Sequence, residues 1–157
     1  MKIDEAFQYI EVLYHSIRPS HPDLAYEKVD THETLFKYWF REEVPARGYS
    51  KKSGVYIFST IEKEILYIGK AASDNFGAEI YSKFGAATSL DENNPCFGNS
   101  LMAEYAPDCY KELIRGGNVC ITAISIHPKE FTSLFEVYLQ TCCAIYEELP
   151  PLNRQIG

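Results

Sequence analysis

Between Gly54 and Lys70 the chain carries a pattern that leaves little but a β-hairpin open to it. The arms Gly54-Val55-Tyr56-Ile57-Phe58-Ser59 and Ile65-Leu66-Tyr67-Ile68-Gly69-Lys70 are rich in β-branched and aromatic residues, with the polar pair Glu62-Lys63 between them. A hairpin folded symmetrically about the Ile61–Glu62 bond pairs residues whose numbers sum to a constant. Tyr56 then faces Tyr67, and Gly54 faces Gly69. Strand side chains alternate with period two, so both pairs leave the same face of the hairpin. Two phenols beside bare backbone suit a pocket; the plain alternative is an amphipathic hairpin with half-buried tyrosines.

The segments around the hairpin alternate between helical periodicity and breakers. Phe7, Ile10, Leu13 and Ile17 recur at helical spacing, and Arg18-Pro19-Ser20-His21-Pro22 ends that helix. Asp30 and Glu33 have the spacing of a capping box, opening a second helix that carries Leu35, Phe36, Trp39 and Phe40. Beyond the hairpin, a helix of about ten residues is expected near Gly77–Gly85, then a loop over Thr88–Ser100 and a helix from Leu101 to Ile114 that runs through Pro107. Val119 to Ile126 is apolar on both faces and reads as a central strand. A last helix runs from a cap at Thr132 to Glu147 or Glu148, where Pro150-Pro151 forbids continuation. The expectation is one α/β (α+β) domain over residues 51–157, a small three-stranded antiparallel sheet flanked by helices. Residues 1–50 form a helical extension packed on it, or against a partner chain or second copy, because its aromatic surface would otherwise be exposed.

Composition narrows the function classes. No apolar run reaches about 18 residues and the start of the chain lacks a secretory core, so no membrane association is expected and the predicted location is cytoplasmic. Five cysteines occur without a C-x-x-C pair or a metal-ligand spacing to histidine, which reads as reduced thiols. The net charge of −7 is shared by both parts, with six Lys/Arg against nine Asp/Glu in residues 1–50 and nine against thirteen in the remainder. Nucleic-acid binders draw affinity from cations on phosphates, so any such surface here must be local; Lys51, Lys52, Lys70 and Lys83 are the candidates.

One carboxylate stands out from its surroundings. The segment Leu134 to Tyr146 is apolar nearly all round, yet Glu136 shares a stripe with Gln140, Cys143 and Glu147. A buried carboxylate is costly unless it is paired, hydrogen-bonded or bound to a cation.

The motif pair Gly54-Val55-Tyr56 and Tyr67-Ile68-Gly69, with Glu136 on a later helix and Asn153 after Pro150-Pro151, resembles the GIY-YIG nuclease family over about residues 51–157. The resemblance implies a metal-dependent endonuclease that hydrolyses phosphodiester bonds in DNA by attack of water. It makes Tyr56 the general base, Tyr67 its hydrogen-bonding partner, Lys70 a cation beside the base, and Glu136 the ligand of one Mg²⁺ (or Mn²⁺) ion. Asn153 either orients Glu136 or caps the chain end. Where the family places an arginine on the helix after the second motif, the best register here has Glu79, with Lys83 four residues later. Lys83 offers a point charge in place of the arginine fork, and Arg115 is a further candidate cation. Glu79 and the acidic charge point to the alternative, a binding or interaction domain on the nuclease scaffold that has lost catalysis.

Overall fold

A computed structural model describes residues 1–29, 35–39, 49–89, 91, 94–146 and 148–156. Its centre is a four-stranded antiparallel sheet in the order β1-β4-β2-β3, built from β1 (Ala25–Val29), β2 (Gly54–Ser59), β3 (Ile65–Ala71) and β4 (Cys120–His127). The three strands expected from the sequence are therefore joined by a fourth. β1 belongs to the first fifty residues, so that region is not a purely helical extension: it completes the sheet by pairing with β4. β4 is central, as its apolar pattern predicts, and all but two of its residues are buried.

Helices cover both faces. α1 (Ile3–Ile17) buries Ile3, Ala6 and Ile10 on the same side as Phe135, Leu139 and Cys143 of α6 (Thr132–Tyr146), against Val55, Ile57, Ile68, Ile124 and Ile126. Phe7, Leu13 and Ile17 flank that contact and stay partly buried. On the other face, Phe76, Ile80 and Phe84 of α3 (Phe76–Phe84) pack with Tyr56, Phe58, Phe97, Ile121 and Ala123. The expected long helix through Pro107 is two helices, α4 (Leu101–Tyr105) and α5 (Asp108–Arg115), because Ala106 is extended before the proline ring. The proposed capping box at Asp30 and Glu33 lies outside the described residues, as do Phe40, Glu147 and the side chain of Trp39. Within the short helix α2 (Phe36–Trp39), Phe36 is fully buried and stacks on Phe84 with ring centroids 3.7 Å apart.

The hairpin forms, but in a different register. Tyr56 pairs with Gly69, Phe58 with Tyr67 and Gly54 with Ala71. The symmetric turn is replaced by a loop over Thr60–Glu64, in which Lys63 takes a left-handed φ of 69° and the ladder shifts between Phe58 and Ser59. The pairing slips by two residues, so Tyr56 and Tyr67 become diagonal neighbours while remaining on one face.

β3 is an edge strand, and the chain end covers its open side. The turn after α6 returns the backbone so that the Leu152 amide donates to the Leu66 carbonyl at 2.9 Å. Asn153 completes the cover with its side chain: Oδ1 accepts from the Ile68 amide at 2.9 Å and Nδ2 donates to the Ile68 carbonyl at 2.8 Å. Gln140 of α6 donates to the same carbonyl at 3.0 Å. Pairing the free edge in this way removes a template for association with another chain.

Candidate functional site

Gly69 is the point on which the tyrosines converge. A Cβ at this position would lie 2.6 Å from Tyr56 Cζ, 2.6 Å from Tyr67 Cε1 and 2.7 Å from the Tyr56 hydroxyl. The two rings close over the bare backbone, with centroids 6.0 Å apart. Gly54 has another task and does not floor the pair: a Cβ there would meet the Ile124 carbonyl oxygen at 1.9 Å and Phe76 Cζ at 2.8 Å, so glycine is required for β4 and α3 to approach.

The two phenols differ in environment. Tyr56 is buried, with 1% exposure, and is enclosed by Phe58 and Phe76. Its hydroxyl lies beside the Tyr67 ring over Gly69, and its pKa is raised above the usual phenol value. Burial is the main cause, followed by the second phenol, with the carboxylates of Glu79 and Glu136 adding to it. Tyr67 is half-buried, stacks on Phe58 with centroids 5.5 Å apart, and carries the Lys83 ammonium 5.8 Å from its ring centre.

Glu136 lies on α6, on the opposite side of the sheet from the phenols, and reaches the edge of β3. There it lines a cavity of about 220 Å³ together with Tyr67, Gln140, Leu152, Asn153, Arg154 and Gln155. The site thus straddles the edge strand. Glu136 is 6% exposed, and its Oε2 lies 2.7 Å from Lys70 Nζ. That oxygen is buried and accepts no aligned hydrogen bond, so the contact is an ion pair. The stripe read from the sequence explains this burial, because Gln140 and Cys143 on the same face are buried too.

The remaining expected residues fall in distinct places. Glu79 is on α3, accepts a hydrogen bond from Asn75 Nδ2 at 3.1 Å, and is close enough to Tyr56 to raise its pKa. Asn153 fastens the edge of β3 and also lines the Glu136 cavity. Arg115 is paired with Glu112 at 3.2 Å on α5. Lys52 pairs with Glu27 at 3.0 Å, and with Lys51 it lines a separate cavity of about 570 Å³ that shares no residue with the one at Glu136. Neither Lys70 nor Lys83 lines that cavity. The cation that does line the Glu136 cavity is Arg154, which no spacing in the sequence singles out. Among the described residues, no group of three or more His, Cys, Asp or Glu side chains could hold a metal ion, and no helix is long and apolar enough to cross a membrane. Set against protein-family models, curated proteins and solved structures, the chain finds no match.

Proposed function

We propose that the chain is a metal-dependent endonuclease of GIY-YIG type that hydrolyses phosphodiester bonds in DNA at the edge of β3. The observation that carries this reading is the meeting of Tyr67 and Glu136 on one cavity, with Tyr56 packed beside Tyr67 above Gly69. Glu136 is the residue that would hold a single Mg²⁺ or Mn²⁺ ion: its carboxylate borders the cavity, with one of its oxygens paired with Lys70. Such an ion supplies positive charge against the charge that builds on a phosphate during cleavage. The protein's own part is to position and to move a proton.

The environments of the two phenols favour exchanging the roles the resemblance implies. Tyr56 is sealed in the core and held protonated, which suits a donor. Tyr67 faces the cavity, so its oxygen is the one that can accept a proton from water. Tyr67 first releases its own proton to solvent through the cavity; the phenolate then takes one proton from the attacking water, with the neighbouring Tyr56 O–H left to donate to it. Lys70 holds the Glu136 carboxylate in place, and its ammonium adds positive charge on that side of the strand.

A second reading is favoured by Glu79, whose carboxylate lies near Tyr56 where a cation would better serve a phosphate. On that reading the scaffold binds nucleic acid, or a protein, without cutting. Incubation of supercoiled plasmid with the protein in Mg²⁺ and in EDTA separates the two. The nuclease reading expects nicking that requires Mg²⁺ and is lost in Glu136→Gln; plasmid left intact by the folded wild type in Mg²⁺ and in Mn²⁺ would rule it out.

A further inference from the structure

The Glu136 cavity has a neighbour. A second cavity of about 150 Å³, bordered by Lys83 and Tyr105, shares Tyr67, Leu152 and Arg154 with the first. Tyr67 therefore stands between a chamber bordered by a carboxylate and one bordered by two cations. We propose that Arg154 and Lys83 form a phosphate-binding subsite that holds one phosphodiester group of a DNA strand beside Tyr67, an inference that rests on the nuclease reading.

Charge assigns the two chambers. Arg154 borders both chambers, and Lys83 joins it only in the second, where no carboxylate among the described residues lines the wall, so a phosphodiester meets two cations there. Of the other candidate cations, Lys70 is engaged with Glu136, Lys52 with Glu27 and Arg115 with Glu112, while Lys51 lines the separate cavity beside Glu27. Arg154 bonds to no carboxylate among the described residues. Its guanidinium lies on the face of Tyr105, 3.8 Å from the ring centre. Stacking occupies the flat face of the group and leaves its N–H edge for a two-oxygen acceptor, the geometry in which arginine surpasses lysine. The side chain is also well placed by its backbone. Asn153, one residue earlier, is tied to both polar groups of Ile68, and Leu152 is bonded to Leu66. A local pair of cations supplies what a chain of net charge −7 lacks overall.

The test is binding of a short fluorescently labelled DNA duplex in EDTA across a salt series, with cleavage in Mg²⁺ measured in parallel. Arg154→Ala is expected to weaken binding about 10-fold and to lower the salt slope by about one. Lys83→Ala should do likewise, and Arg154→Lys should restore the slope without the full affinity. Both side chains are at the surface of the site, so melting temperatures should stay at the wild-type value; if Arg154→Ala does not fold, Arg154→Lys and Lys83→Ala carry the test. Wild-type cleavage with unchanged binding and rate in these variants would overturn the subsite and leave the nuclease standing. Binding that depends on both cations without any cleavage would keep the subsite and remove the nuclease. Absence of DNA binding by the wild type overturns both.

Discussion

Replacing Gly69 with alanine tests the geometry on which the site depends. Gly69 has no left-handed backbone, so alanine can adopt its conformation. In open space such a change stabilises a protein by about 0.4–1 kcal/mol, because the unfolded chain loses freedom. Here the new Cβ would meet carbons of both Tyr56 and Tyr67 at 2.6 Å. Nonbonded carbons prefer about 3.5–4.0 Å, so the overlap is about 1 Å on each side. Tyr67 has room to retreat toward solvent, whereas Tyr56 is walled in by Phe58 and Phe76. Overpacking of this kind costs about 1–3 kcal/mol. For a chain of this length, each kcal/mol moves the melting temperature by about 2–4 °C, so a fall of about 2–12 °C is expected. Circular dichroism melts and urea titrations read it directly. Adding Tyr67→Ala relieves one of the overlaps and should shrink the penalty. A Gly69→Ala protein that melts at or above the wild type would mean that the phenols do not close over this residue.

Two further outcomes follow from the charges. Lys70→Met leaves the buried Glu136 carboxylate without its cation, and with Lys70 itself about one-third exposed the loss should be about 1–3 kcal/mol in urea unfolding; adding Glu136→Gln should recover most of it, and equal stability of Lys70→Met and wild type would contradict the ion pair. The Asp74 carboxyl is held below its usual pKa chiefly by a hydrogen bond from Lys129 and by another from Ser53, with distances of 3.0 and 2.9 Å. A depressed carboxylate contributes stability above its unfolded pKa of about 4 and loses it as pH falls through the folded value. Asp74→Asn should therefore be less stable than wild type near neutrality and converge with it below about pH 4, and a gap that widens in acid would refute the assignment.

What the sequence revealed was largely local. The arms of the hairpin, the shared face of Tyr56 and Tyr67, the central position of β4 and the burial of Glu136 all follow from periodicity and apolar patterning. The register did not, because period two is blind to a slip of two residues, and the slip is set by the Thr60–Glu64 loop and the irregularity after Phe58. β1 was missed because Ala25-Tyr26-Glu27-Lys28-Val29 has a short and weak alternation; its strand conformation comes from pairing with β4, about a hundred residues away. The break at Pro107 is legible in the sequence, because the residue before a proline is biased away from helix. Arg154 had no signal of its own. It reaches Tyr67 because Asn153 pairs with Ile68 across 85 positions of sequence, a contact no spacing rule anticipates.

The most direct test of the proposed chemistry is the plasmid-nicking rate of Tyr67→Phe and Tyr56→Phe, measured against wild type in Mg²⁺ as a function of pH. Each change removes only a hydroxyl, so both proteins should fold. With Tyr67 as the proton acceptor and Tyr56 as its donor, Tyr67→Phe should lose about 10²-fold or more in rate at every pH. Tyr56→Phe should retain measurable activity, because the Tyr67 oxygen that takes the proton is still present. Full activity in Tyr67→Phe, or cleavage abolished by Tyr56→Phe alone, would contradict the account.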